Sequence, residues 1–236
     1  MTAAQVLKEL KALGNESTRK TLVRHGADPD KCFGVKFGDM KPLQKKIKVD
    51  YQLALDLFDS GIYDAMYLAG LIADDARMTK TNLRKWAKSP ARKLFNGSTI
   101  PWVAAGSAHG APLAAEWIDA KDDAIAAIGW NTLTSIISVT PDAEVDIPAH
   151  RKLLKRVEKE IHKAGNETKY AMNNFVIGCG CFVAPLSEAA KKSAAKIGEV
   201  SVDHGDTACK TPFACDYIAK VEKMGRFGKK KKTIKC

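Results

Sequence analysis

The chain lacks any apolar run long enough to cross a bilayer. Its opening, MTAAQVLKELKALG, has no secretory core and reads instead as an amphipathic helix with Leu7, Leu10 and Leu13 on one side, so a cytoplasmic protein is expected. Aromatic residues are sparse, at 7%, while Ala, Leu and Lys abound, a profile that leans towards helix. No cysteine pair has the C-x-x-C spacing. The His204, Asp206, Cys209 and Cys215 of DHGDTACKTPFAC therefore match no zinc pattern, and no metal is expected. Without an export signal the six cysteines, Cys32, Cys179, Cys181, Cys209, Cys215 and Cys236, should remain reduced, with Cys179 and Cys181 serving as small core hydrophobes in FVIGCGCFV. A phosphate-binding loop is missing too, because the glycines of GRFGKKKKT stand too close together, which argues against a nucleotide cofactor.

What is abundant is positive charge. Against 27 acidic residues stand 38 Lys and Arg, a formal net charge of +11, and the cations cluster. Lys36, Lys41, Lys45, Lys46 and Lys48 fall in one loop and helix, and Arg151, Lys152, Lys155, Arg156, Lys159 and Lys163 in another. Spacings of three and four place Lys152, Lys155, Arg156 and Lys159 on one helical side. The segment GRFGKKKKTIKC adds Arg226, Lys229 to Lys232 and Lys235. Each row has a bland reading as a solvated face. Together they favour a polyanionic partner, nucleic acid before membrane, because clustered cations gain affinity by releasing counterions from phosphates.

The capping and periodicity signals spell a series of helices. Helix ends are expected at Gly14 and at His25-Gly26; Asn15, Asp39 and Asp50 are candidate N-caps, and residues 62–73 form an apolar helix that must be nearly buried. Further helices are expected at residues 79–88, around Trp102, and at 112–118, 122–139, 148–164, 167–183, 185–197 and 214–224. Only short runs such as VSVD, residues 200–203, look like strand. Ala127 and Ala171 occupy similar sites in two apolar helices 44 residues apart, inside the band of about 40 to 47 residues for HEAT and armadillo repeats. The fold expected is all-α, an α-solenoid of stacked HEAT-like helical pairs with a concave basic face, formed by residues 1–224 and followed by a basic tail, 225–236.

Within that series the segment from Asn96 to Trp117, NGSTIPWVAAGSAHGAPLAAEW, is poor in charge and carries two of the four tryptophans. Plain core or the floor of a cleft would each account for it. QVLKELKALGNESTRKTLVRHG, FGVKFGDMKPLQKKIK, YDAMYLAGLIAD and PWVAAGSAHG together resemble the AlkD-like DNA alkylation repair family of HEAT-like repeat proteins, across nearly the whole chain. The resemblance implies a basic surface that holds double-stranded DNA by its phosphate backbone. In active members it implies base excision repair: release of cationic N3- or N7-alkylated purines without flipping the base. Such members need an aromatic against the lesion, a carboxylate for the oxocarbenium-like sugar, and a cation on the nearby phosphate. Trp102 matches the aromatic of the family's W-x-x-x-D pattern, Gly106 stands where the aspartate belongs, and Lys169 falls at the phosphate-gripping position.

Three functions follow from this reading. The chain is a DNA glycosylase whose acid comes from elsewhere, with Asp64, Asp74, Asp75, Glu116 and Asp119 as candidates that otherwise serve as caps or surface acids. Alternatively it is a non-catalytic binder of branched or distorted duplex, or a HEAT-type scaffold for an acidic protein. The candidate DNA contacts are Lys36, Lys41, Lys45, Lys46, Lys152, Lys155, Arg156, Lys159, Lys169, Lys230 and Lys231. No cofactor is required, and a monomer is expected.

Overall fold

The computed structural model describes residues 1–235, and within them the chain is entirely helical: thirteen α-helices linked by short turns and 3-10 segments. Residues 200–203 are irregular rather than extended in a sheet, since among the described residues no second strand offers them a ladder. No helix there is long and apolar enough to cross a membrane. The chain gathers into two compact units, residues 1–109 with 205–207 and Lys235, and residues 110–204 with 208–234.

The first unit holds α1 (Ala3–Leu13), α2 (Glu16–Arg24), α3 (Phe37–Ile47), α4 (Tyr51–Asp59), α5 (Tyr63–Ile72), α6 (Lys80–Ala87) and α7 (Thr99–Gly106). Thr2, Asn15, Asp50 and Thr79 cap their helices through side-chain oxygens that accept backbone N–H bonds. On α1 the buried stripe is Val6 and Leu10, an i, i+4 pair, whereas Leu13 is exposed; the apolar face is rotated from the one the leucines suggested. α3 also starts earlier than Asp39 implied. Lys36 is its N-cap, without a side-chain cap bond, and Asp39 sits inside the first turn, where its charge complements the helix dipole. α5 is buried from Asp64 to Ile72 and packs against α4 and α7. Phe58 stacks on Trp86 at 4.1 Å, and Phe95 and Tyr63 close the core beside them.

The second unit holds α8 (Gly110–Trp117), α9 (Asp123–Val139), α10 (Ile147–Glu160), α11 (Asn166–Phe182), α12 (Ser187–Ile197) and α13 (Ala214–Lys223). Neighbours in sequence pack together, α8 on α9 and α11 on α12, and α9 lies along α11. α9 and α11 are 17 residues each, and Ala127 and Ala171 are both fully buried, as the repeat spacing required. Gly165, at the N-cap of α11, offers that helix no side chain. The Asp123 carboxylate reaches over from α9 instead and accepts the N–H groups of Glu167 (2.9 Å) and Thr168 (3.0 Å). A Cβ on Gly165 would meet the Asp123 carboxylate at 2.2 Å, so the glycine is there to let the carboxylate in.

Cys179 and Cys181 are core residues, and burial pushes the Cys181 thiol up to about 11 and that of Cys179 higher still. Residues 228–231 are tied down in the second unit. Gly228 donates to the Cys181 carbonyl and Lys231 N–H to that of Ser138, while Lys230 pairs with Asp142 at 2.8 Å and donates to the Ile137 carbonyl. Cys236 lies outside the described residues.

Candidate functional site

Three tryptophans, Trp86, Trp117 and Trp130, are buried at 0%, 4% and 0% exposure. Trp102 is the exception. It is half-buried on α7 and meets the Tyr67 ring edge-on, with centroids 5.7 Å apart and planes at 78°. Tyr67 in turn stacks flat on Phe37, at 4.0 Å and 11°. The sequence marked Trp102; it gave no sign of Tyr67 or Phe37, because the three rings come from helices far apart along the chain.

Gly106 lies four residues beyond Trp102, one turn along the same face of α7. Its backbone does not have positive φ, so it is not glycine for conformational freedom. Space is the reason: a Cβ there would lie 2.2 Å from Asp75 Oδ2, 2.8 Å from its Cγ and 3.0 Å from its Cβ. A carboxylate from the 3-10 turn Asp75–Arg77 therefore occupies the room that a side chain at residue 106 would take. Asp75 Oδ1, shut off from solvent, lies 2.7 Å from Lys235 Nζ, which also donates to the Ala73 carbonyl at 2.9 Å. Burial pushes the Asp75 carboxyl above the ordinary range; Lys235 pulls it back through charge and hydrogen bonding, and Asp74 pushes it up again.

The other acids are engaged differently. Asp64 is fully buried and clamps the 33–35 loop, accepting from the Phe33 N–H (2.6 Å) and the Val35 N–H (2.8 Å). Its charge contributes, after burial, to raising the Cys32 thiol to about 11. Asp119 pairs with Arg156 at 2.7 Å. Asp39 sits exposed in the first turn of α3, Glu116 is exposed on α8, and Asp74 is the N-cap residue of its 3-10 turn without a side-chain cap bond. Asp75 thus differs from Asp64 and Asp123, whose oxygens are taken by backbone N–H groups.

The cations divide in the same way. In the first unit Lys36, Lys41 and Lys45 are exposed and make no ion pair among the described residues, whereas Lys46 pairs with Glu9 at 3.1 Å. On α10 of the second unit, Lys152 and Lys159 are exposed and unpaired among the described residues. Lys155 pairs with Glu158 at 2.7 Å, and Arg151 donates to the Pro185 carbonyl. Arg156 is structural in its bonding: it holds Asp119, Glu160 at 2.8 Å and the Ile118 carbonyl, and its guanidinium lies 5.8 Å from the Trp130 ring centroid. Lys169 is half-buried in the first turn of α11. Lys230 is drawn into the second unit by Asp142, and Lys231 is exposed, with Nζ 5.5 Å from the Phe182 ring centroid. His204 bonds Thr211 and meets Tyr170 edge-on, and no metal-holding cluster of His, Cys, Asp and Glu occurs among the described residues.

Comparison with known proteins places this arrangement. A solved structure described as "a new family of proteins related to the HEAT-like repeat DNA glycosylases with affinity for branched DNA structures" superposes with a TM-score of 0.93, at 32% identity, over 100% of both chains. The uncharacterized proteins Lin0241 of Listeria innocua serovar 6a and Lmo0209 of Listeria monocytogenes serovar 1/2a are each 32% identical over 226 residues, covering 93% of this chain and 97% of theirs. The model of the family described as DNA alkylation repair enzyme matches residues 6–181. With the HEAT-like helical pairs already in view, the chain belongs to the DNA alkylation repair enzyme family.

Proposed function

We propose that the protein is a monomeric, cytoplasmic binder of DNA that grips duplex segments by their phosphates and favours branched or distorted structures over regular duplex. The observation that carries this reading is the state of the lysines. Lys36, Lys41 and Lys45 on one unit, and Lys152 and Lys159 on the other, are exposed without an acidic partner among the described residues, while Arg156, Lys155 and Lys230 are bound to the protein's own acids. Lysines left available in rows are suited to polyphosphate, because each phosphate they neutralise releases counterions. Such contacts carry no sequence information, so any preference comes from the shape and deformability of the DNA. The affinity for branched DNA ascribed to the structural relative supports the choice of branched duplex. Affinity for a four-way junction, followed against salt, tests the reading: each lost phosphate contact should lower the slope of log K against log salt by about 0.9. In Lys41→Ala/Lys45→Ala the slope should fall by nearly 2 on this scale. A flat salt dependence, or no binding at low salt, would leave the protein-scaffold alternative.

A second reading is favoured by one specific observation, the Asp75 carboxylate standing over Gly106. It supplies an acid on the Trp102 face of α7 although residue 106 has none. On this reading the protein also hydrolyses the glycosidic bond of cationic alkylpurines, with Asp75 stabilising the developing positive charge on the sugar. Incubation with duplex containing N7-methylguanine tests it: release of the base by the wild type and its loss in Asp75→Asn is the result required. No release above buffer from the wild type, alongside an active glycosylase, would reject it.

A further inference from the structure

Phe37 is the most unusual exposed residue of the first unit. It is 47% exposed, although Tyr67 covers one of its faces at 4.0 Å with planes 11° apart. Tyr67 itself is only 6% exposed and makes a T-shaped contact with Trp102. The outermost ring is therefore held flat from behind by two aromatics, with little freedom left to lose when something stacks on its front. Phe37, Lys41 and Lys45 follow one another at intervals of four along α3, one turn apart each, so the open ring stands at one end of a row of exposed, unpaired lysines.

An apolar ring beside unpaired cations fits a ligand that is flat, aromatic and anionic on its flank, which describes a nucleotide whose base has left the stack. We propose that Phe37 is a stacking platform for an unpaired base at a DNA branch point, with Lys41 and Lys45 on the adjoining phosphates. The proposal rests on the DNA-binding reading above and adds the element of branched DNA that is recognised. Paired bases stay stacked within their helices, so only a base left unpaired at a branch, gap or bulge presents both of its faces. A tenfold preference corresponds to about 1.4 kcal/mol, within the range contributed by one base stacked on an aromatic side chain.

The test uses two three-way junctions, one fully paired and one with an unpaired 2-aminopurine at the branch point. The wild type should quench the 2-aminopurine fluorescence and bind the unpaired junction roughly tenfold more tightly than the paired one. Phe37→Ala should abolish both effects and bind the paired junction as before. Phe37→Trp should retain the quench, and the circular dichroism melts of both variants should match the wild type. If Phe37→Ala keeps quench and preference while the wild type binds both junctions, the platform is refuted and DNA binding stands. If the wild type binds neither junction at low salt, both fall. Self-association of the wild type that Phe37→Ala removes would assign the ring to a second copy of the chain, and would likewise overturn the proposal.

Discussion

Replacing Gly106 with alanine should destabilise the protein, although the same change at the end of an ordinary helix is neutral or favourable. The added Cβ would meet Asp75 Oδ2 at 2.2 Å and Cγ at 2.8 Å, far inside van der Waals contact. The carboxylate cannot swing aside without leaving Lys235, 2.7 Å away on the other oxygen, and both side chains of that pair are about four-fifths buried, at 21% and 17% exposure. Overpacking of this kind costs about 1–3 kcal/mol. The gain in helix propensity from Gly to Ala is at most about 1 kcal/mol, and smaller at the last helical residue. The net loss is therefore about 1–2 kcal/mol, a fall in Tm of about 2–8 °C for a chain of this size. In an Asp75→Ala background only the 3.0 Å contact with the residue 75 Cβ persists, and Gly106→Ala should become neutral or mildly stabilising. The four proteins form a double-mutant cycle, read by thermal or urea unfolding, with a coupling of about 1–2 kcal/mol. If Gly106→Ala raises Tm in the wild-type background, or the cycle closes without coupling, Asp75 does not occupy the place of the missing side chain.

Three further outcomes follow from the same contacts. Removing Lys235 in Lys235→Met should raise the Asp75 carboxyl further above its ordinary value, because the lysine is what holds it down, and a carbon-13 NMR titration of the carboxyl would register the shift. An acid raised on folding contributes stability below its unfolded value and loses it as pH rises through its folded value; the loss should therefore be larger in Lys235→Met, and its absence would mean the ion pair is not formed in solution. Arg156→Ala should cost about 1–3 kcal/mol by leaving Asp119, Glu160 and the Ile118 carbonyl without their donor, the exposed ends of the carboxylates being rehydrated at little cost. Lys152→Ala, by contrast, should leave the melting curve unchanged and weaken junction binding. Equal effects of the two on stability would refute the division between structural and available cations. Finally, Gly106→Asp should lower Tm more than Gly106→Ala, since two carboxylates in one space crowd each other and raise each other's pKa, and Asp75→Ala should relieve the loss; an unchanged Tm in the single variant would count against the crowding.

Six of the thirteen α-helices carry their own punctuation, with Thr2, Asn15, Asp50, Thr79, Asp122 and Asp146 capping where the helix begins, and apolar periodicity made the others legible. The departures occur where a boundary depends on something outside the helix. α11 is capped by Asp123 from α9, and α3 opens at Phe37 without a side-chain cap, so local signals placed its start too late. Along α1 the leucines were right only in part: Leu10 is in the core, but Val6 completes the buried stripe while Leu13 is exposed. Residues 200–203 looked like a strand from β-branched content alone, which specifies nothing without a partner to pair with.

The site was legible as an absence. The resemblance to the family's W-x-x-x-D pattern marked Trp102 and the missing acid at Gly106, but nothing in the sequence connects residue 75 to residue 106. That link exists only in the packing of the Asp75–Arg77 turn onto the end of α7. Gly165 and Asp123 repeat the arrangement in the second unit, where a glycine again admits a carboxylate to within 2.2 Å of where a Cβ would be. There the purpose is plain, because both Asp123 oxygens accept N–H bonds from α11. At Gly106 a lysine side chain, itself tied to the Ala73 carbonyl, stands where the backbone donors would be. Among the described residues Lys235 is the ion-pair partner of the Asp75 carboxylate, and Gly106 leaves the space that the carboxylate occupies.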